Sequence, residues 1–330
     1  EFGVTVHNPW YGDEVTDQYL FIARDGEPAP AGFEGQVLRD EARRVVCMSG
    51  SYIAMLDALG AADRVVGVSG GQSLKNETPP RRIARGEAAD VGFDSNVDFE
   101  RLMALRPDLV MLFGIGGADT ALTGKLRELG IPYLYMGEHC EESPLGKSEW
   151  VVVAAEIAGL RTEGSRLFAA IPERYERLRA LAQQTAARPR VMLNTPYRDT
   201  WFMPARNSYM VRLLEDAGAR YVFEENTATQ TLPIDIEQAY YLTSKSDFWL
   251  NVSGCNTLDE VRRQNPRLAD TPPVREGRVY DNNRRRNAAG GSACWAAGVL
   301  RPDRVLADLV HIFHPELSET DELYYYRQLE

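Results

Sequence analysis

The sequence predicts an α/β protein of two similar lobes, each with a central, mainly parallel sheet, bridged by one long α-helix, with a ligand cleft between the lobes. Three observations carry this prediction. Short apolar strands alternate with amphipathic helices from Arg44 to Met136, and again from Arg190 to Tyr280. Segments of the first series recur in the second. Between the two series, Leu167, Phe168, Ile171, Tyr175, Leu178 and Leu181 repeat at a three-to-four-residue period within Leu160 to Ala187.

Residues 1–42 precede the alternation. Asn8-Pro9-Trp10-Tyr11-Gly12 is turn-like, Gly26 to Gly32 is a loop, and Tyr19-Leu20-Phe21-Ile22-Ala23 reads as an edge strand in an otherwise irregular arm packed on the first lobe. The first lobe then takes its strands from Arg44–Met48, Arg64–Val68, Pro107–Phe113 and Ile131–Met136. Its helices run Tyr52–Leu59, Phe99–Leu105 behind an Asp98 cap, and Leu122–Leu129, with Gly60 and Gly130 as stops.

The intervening stretch from Leu160 to Ala187, unbroken, spans roughly 35–40 Å. Pro172 either kinks it or starts a second segment. By itself this is an ordinary core helix; its place between two repeats makes it the bridge. Strands at Arg190–Asn194, Arg220–Phe223, Asp247–Val252 and Gly277–Tyr280 follow, with helices at Ser208–Ala217, Ile236–Leu242 and Leu258–Asn265. Leu59-Gly60-Ala61 echoes Ala217-Gly218-Ala219. Phe99-Glu100-Arg101 through Asp108-Leu109-Val110 echoes Ile236-Glu237-Gln238 through Asp247-Phe248-Trp249, the second copy carrying two extra residues before its Asp. The chain therefore divides into an arm (1–42), a first lobe (43–159), an interlobe helix (160–187) and a second lobe (188–330).

Composition sets outer limits. At 330 residues the chain exceeds the size, about 250–300 residues, at which one core stops growing. A net charge of −11 argues against a nucleic-acid partner. No apolar run approaches the ~20 residues of a membrane span. The opening Glu1-Phe2-Gly3-Val4 has neither Met nor leader and reads as a chain whose targeting segment has been removed. Cys47, Cys140, Cys255 and Cys294 are far apart, which argues against zinc or a dense disulfide framework and leaves a single bridge open.

In open parallel sheets, ligands bind beyond the carboxyl ends of the strands, so two facing lobes line one cleft with their strand-end loops. The first lobe offers Ser49-Gly50-Ser51-Tyr52, Ser69-Gly70-Gly71, Phe113-Gly114 and Gly137-Glu138-His139. The second offers Tyr197, Trp201, Arg206, Asn251 and the run Asn282-Asn283-Arg284-Arg285-Arg286-Asn287. These aromatic and cationic residues suit a flat, anionic or aromatic ligand held by stacking and charge-assisted hydrogen bonds.

Enzyme motifs fare worse. Gly114-Ile115-Gly116-Gly117 lacks the third spaced glycine of a dinucleotide loop. Ser49 and Ser51 lack the glycines of a nucleophile elbow. His7, His139, His311 and His314 are the only histidines, and His139 beside Cys140, Glu141 and Glu142 is too thin a set for a metal site.

Arg44-Val45-Val46 with Ser49, Leu59-Gly60 with Arg64 to Val68, Asp98 to Leu102, Leu105 to Val110 and Leu129-Gly130-Ile131-Pro132 form an ordered series. Leu214 to Ala219, Gly277 to Tyr280, Arg301-Pro302-Asp303, Leu306 to Leu309 and His314-Pro315-Glu316 continue it. With this series the chain resembles the ABC-importer substrate-binding proteins that capture iron–siderophore, haem or cobalamin, the class III periplasmic binding proteins. The resemblance covers residues 43–317.

It implies a non-enzymatic, monomeric, exported protein of the periplasm or cell envelope, with a lipid anchor as one means of retention. It implies no cofactor or bound metal of its own. The ligand is expected to be a ferric siderophore, haem or another metal chelate, and the partner an inner-membrane ABC permease. A stiff interlobe helix implies closure by small angles. An exposed Glu on each lobe is expected to meet permease arginines, and the motif maps these to Glu100 and Glu237. Ligand contacts are expected from Ser49, Phe113, Trp201, Arg206, Arg284, Arg285 and Arg286, then from Tyr52, His139, Tyr197 and Trp295. Pro204-Ala205-Arg206 stands where related chains often carry a Gly-rich turn. The three arginines favour an anionic siderophore or haem propionates over cobalamin, which is the alternative. From another class, the alternative is an α/β hydrolase using Ser49 or a nucleotide-dependent oxidoreductase.

Overall fold

The computed structural model describes residues 3–10, 16–70, 78–93, 96–114, 120–198, 200–286, 292–318 and 322–330. Tyr11, Gly12, Gly71, Ile115-Gly116-Gly117 and Asn287 lie outside the described residues.

The arm holds β1 (Gly3–His7), β2 (Asp17–Ile22) and β3 (Gln36–Leu38) in the order β1-β2-β3. The segment expected as an edge strand is thus the middle one. Its backbone pairs with a neighbour on each side, while Val4, Val6, Leu20, Ile22 and Leu38 enter the first-lobe core.

The first lobe runs β4 (Val45–Cys47), α1 (Gly50–Ala58), β5 (Val65–Val68), α2 (Thr78–Ala84), β6 (Ala89–Asp90), α3 (Phe99–Ala104), β7 (Leu109–Phe113), α4 (Ala121–Glu128) and β8 (Tyr133–Met136). Its sheet has the order β6-β5-β4-β7-β8 and is parallel throughout. Strands such as Val45–Cys47 are buried along their whole length, as covered parallel sheets require. The outer edge of β8 is closed by the arm: Tyr133 N–H donates to Gln36 Oε1 at 3.0 Å and Tyr135 N–H to Gln18 Oε1 at 3.1 Å. Side-chain carbonyls satisfy an edge that would otherwise present unpaired donors.

Three helices join the lobes: α5 (Pro144–Ile157), α6 (Arg161–Ala169) and α7 (Pro172–Gln183). The single long helix is therefore divided, and Pro172 is the first residue of its second part. Pro172 has no N–H to donate, so the hydrogen-bond ladder breaks there, although Ala170 and Ile171 keep helical angles. Leu167 and Phe168 on α6 pack against the first-lobe core. Tyr175, Leu178 and Ala182 on α7 belong to the second. The change of lobe falls at Pro172.

The second lobe runs β9 (Arg190–Leu193), β10 (Pro196–Tyr197), β11 (Thr200–Met203), α8 (Tyr209–Asp216), β12 (Arg220–Tyr221), β13 (Leu232–Ile234), α9 (Ile236–Ser244), β14 (Phe248–Leu250), α10 (Leu258–Gln264), α11 (Pro272–Arg275), β15 (Val279–Asp281), α12 (Pro302–Phe313) and β16 (Arg327–Gln328). The main sheet has the order β12-β9-β14-β15-β16, parallel except for β16. Its first four strands reproduce the order β5-β4-β7-β8 of the first lobe, so the repeat read in the sequence is a repeat of topology.

The shared turns are equally matched. Gly60 and Gly218 adopt φ of 72° and 78°, and Ala61 N–H reaches Leu56 O at 2.8 Å as Ala219 N–H reaches Leu214 O at 3.0 Å. The second lobe adds an antiparallel sheet, β10-β11-β13, beside its strand ends. Among the described residues, no helix is long and apolar enough to cross a membrane. No disulfide joins any two of the four cysteines.

Candidate functional site

At the carboxyl ends of β9, β14 and β15 the second lobe opens a cavity of about 690 Å³. This lies within the roughly 300–1,000 Å³ of small-molecule sites. Asn251, Asp281, Asn282 and Asn283 line it and are almost fully buried. Tyr197, Phe202 and Trp295 also line it, and these rings are 66%, 41% and 37% exposed. Arg286 adds a cation, its Nε donating to Asn283 O at 3.2 Å. The Arg198 guanidinium stands 5.4 Å from the centre of the Tyr197 ring. Burial raises the Asp281 carboxyl to about 6, against the lowering effects of the Asn282 backbone N–H, Arg286 and Arg327.

A second space, about 430 Å³, lies between the lobes. His139, Cys140 and Glu142 border it from the first lobe; Asn207, Tyr209 and Thr229 border it from the second. Asn207 donates to Glu142 across it, and the Lys147 ammonium lies 5.3 Å from the Tyr209 ring centre. Burial lowers the Lys147 pKa, while the carboxylates of Glu138 and Glu141 oppose that effect. A charged groove of about 520 Å³ lies at the opposite, amino ends of the first-lobe strands, away from the cleft.

The first lobe faces the cleft through the ends of β7 and β8. Phe113 is 38% exposed, with its ring centre 4.2 Å from that of His139. His139 Nε2 donates to Gly114 O at 2.8 Å, so the imidazole is engaged with backbone as well as stacked. Burial works against its charged form, but hydrogen bonds with Cys140 and Glu138 and their charges outweigh it, raising the pKa to about 9. Ser49 caps α1 and shares a 3.0 Å hydrogen bond with Ser51, whose hydroxyl donates to the buried Glu138 Oε1 at 2.6 Å. The hydroxyls thus lead to a carboxylate rather than to an imidazole.

Several expected contacts lie elsewhere. Tyr52 is fully buried and donates to Leu112 O at 3.2 Å, which makes it a core residue. Trp201 is buried as well, 5.6 Å from Trp249, with Nε1–H on Leu193 O at 2.9 Å. Its neighbour Phe202 points outward instead. Arg206 turns away to Glu215 at 2.8 Å. Arg284 pairs with Glu322 at 3.0 Å, and Arg285 lies 3.9 Å from the centre of the Tyr324 ring. Of the arginine run, Arg286 lines the cavity.

Glu100 and Glu237 occupy matching sites in the first turns of α3 and α9, capped by Asp98 and Asp235 through 2.9 Å and 2.8 Å bonds. Both are exposed, and Glu237 pairs with Arg267 at 2.8 Å. Among the described residues, no group of three His, Cys, Asp or Glu is placed to hold a metal ion.

Two parallel-sheet lobes, with a cavity at the second lobe's strand ends and a space between the lobes, make up the candidate site. The chain belongs to the periplasmic binding protein family, whose model matches residues 45–284. It is 25% identical over 332 residues to the uncharacterized lipoprotein MJ0878 of Methanocaldococcus jannaschii, covering 94% of this chain and 77% of that one. It is 28% identical over 131 residues to the uncharacterized ABC transporter substrate-binding lipoprotein YvrC of Bacillus subtilis, covering 39% of this chain and 38% of that one. Among solved structures, a periplasmic heme-binding protein from Pseudomonas aeruginosa superposes with a TM-score of 0.66 at 20% identity, covering 88% of this chain and 98% of that one. The heme-binding protein RhuT from Roseiflexus sp. RS-1 superposes with a TM-score of 0.62 at 22% identity, covering 84% and 100%. The two-lobed fold expected from the sequence is the fold of these proteins.

Proposed function

We propose that this protein captures an iron chelate, haem or a ferric siderophore, in the cleft between its lobes, outside the cytoplasmic membrane, and hands it to an ABC permease. The observation that carries the reading is the second-lobe cavity, in which Tyr197, Phe202 and Trp295 surround a floor of buried carboxamides with Arg286 alongside. Exposed aromatic rings bind flat or conjugated ligands, and a guanidinium binds their anionic edge. The heme-binding structural neighbours and the substrate-binding lipoprotein relative support the same class. That relative also supports a lipid anchor.

Cobalamin is the second reading, and a specific observation favours it. With Arg284 and Arg285 engaged by Glu322 and Tyr324, the preference for an anion rests on Arg286, while Asn251, Asn282 and Asn283 suit an amide-rich ligand. Titration with haemin, ferric siderophores and cobalamin, followed by tryptophan fluorescence, is expected to give saturable quenching with one class. No response to any of them rejects the reading.

Docking on the permease is assigned to Glu100 and Glu237, whose matched exposure on the two lobes suits two equivalent basic sites. Charge reversal at both is expected to abolish permease-coupled uptake and leave chelate binding intact. Loss of binding in that variant would refute the docking role.

A further inference from the structure

Asn251 follows β14 in a left-handed conformation, φ 61°, and its side chain is turned into the protein with 4% exposure. Its Oδ1 accepts from Asn282 Nδ2 at 3.0 Å and from the Tyr326 hydroxyl at 2.9 Å. Two donors on one oxygen decide which end of the carboxamide is which. The other end, Nδ2, is buried and has no hydrogen-bond acceptor among the described residues, although Asn251 lines the 690 Å³ cavity. A buried donor left without an acceptor costs free energy unless a water or a ligand oxygen meets it, and Asn251 sits where the cavity can supply one.

The Tyr326 hydroxyl is itself firmly set. Asp308 accepts the backbone N–H groups of Tyr324, Tyr325 and Tyr326 at 2.7, 2.6 and 3.0 Å. The next residue, Arg327, pairs with Asp281 of β15, and its Nε donates to Asn283 Oδ1 at 2.6 Å. The C-terminal segment therefore holds two of the carboxamides that line the cavity.

We infer that Asn251 is a specificity-determining residue of this cavity, donating from Nδ2 to an acceptor oxygen on the rim of the bound ligand, and that Tyr326 is the positioning residue that fixes its orientation. The acceptor is a carboxylate, a hydroxamate carbonyl or an amide carbonyl; the three share the oxygen that the orphan donor needs. The inference rests on the proposed reading that the cavity holds part of the captured chelate.

The test titrates the full chain with haemin, ferrioxamine and cyanocobalamin, which carry these three oxygens, in wild type, Asn251→Asp, Asn251→Gly and Tyr326→Phe. Asn251→Asp replaces the donor by an acceptor of the same shape, and Asn251→Gly keeps the left-handed backbone if the new charge disturbs folding. For the probe that wild type binds, both Asn251 variants are expected to lose about tenfold or more in affinity, and Tyr326→Phe a smaller part of that. A purely structural role for Asn251 would lower the melting temperature and leave the affinity of the folded fraction unchanged. Affinities within about threefold of wild type in both Asn251 variants overturn the inference and leave chelate capture standing. If wild type binds none of the three probes, the capture reading falls and the inference falls with it.

Discussion

Asp108 and Asp247 do the same work in opposite lobes. The Asp108 carboxylate accepts the backbone N–H groups of Arg43 and Arg44 at 2.9 and 2.8 Å, ahead of β4; Asp247 accepts Arg190 N–H at 2.7 Å, at the start of β9. In each lobe the strand that follows this Asp lies beside the strand whose start it holds, and each Asp N–H returns a bond to Arg44 O or Arg190 O at 2.8 Å. The two-residue insertion in the second copy leaves this junction intact.

Replacing either carboxylate by Ala is expected to destabilise by about 1–3 kcal/mol, with Asp108→Ala the costlier because it strands two donors rather than one. Urea denaturation of the two variants checks both the size and the order.

Gly164 is where α5 and α6 touch: a Cβ there would lie 2.3 Å from the Ala155 Cβ. Gly164→Ala is expected to cost about 1–3 kcal/mol by forcing the helices apart. Adding Ala155→Gly is expected to return part of that loss. Thermal melts of the single and double variants measure the coupling.

His139 has a folded-state pKa near 9, above its ordinary 6.5. A raised histidine stabilises the fold fully below 6.5 and loses that contribution as pH rises through about 9. Relative to His139→Gln, wild type is therefore expected to lose stability across this window. Denaturation midpoints at matched pH values give the difference directly.

Asp281 gives a slope of the same sign in a lower pH window. Its carboxyl is raised from 3.8 to about 6 by burial, so the folded state holds the proton more tightly and stability declines as pH climbs through that interval. Asp281→Asn is expected to remove the decline and to gain on the order of 2 kcal/mol at pH 7. A flat melting temperature between pH 4 and 6 in the variant is the signature.

Four strands of each main sheet were legible, because buried parallel strands are apolar along their length and end in glycine or polar turns, whereas the two-residue edge strands β6 and β16 carry no such run. The α5 helix was not. It is apolar on most sides, since it meets first-lobe helices along its length and the second-lobe core at Leu145, and Val151-Val152-Val153 gives no helical period. The arm sheet was hidden because its glutamines satisfy another strand's edge, a relation that spans about a hundred residues and leaves no local mark.

In the site, the expected Trp201 is buried and its neighbour Phe202 faces the cavity, a difference one residue wide. β11 alternates buried Trp201, exposed Phe202 and buried Met203, and the sequence alone does not say which face looks outward. Asn251, Asn282, Asn283 and Arg286 were readable as strand-end residues. The diversion of Arg284 and Arg285 was not, because Glu322 and Tyr324 reach them from the far end of the chain.

The change of lobe at Pro172 has a consequence for how the molecule melts. It is one of several places where the chain passes between cores: Leu145 packs on the second-lobe core, and Ala296 and Leu300 lie in the first, between stretches that belong to the second. Neither half can unravel without stripping apolar surface from the other. A chain whose duplicated sequence suggests two autonomous domains is therefore expected to melt as one cooperative unit, and calorimetry should record a single endotherm whose van 't Hoff and calorimetric enthalpies agree.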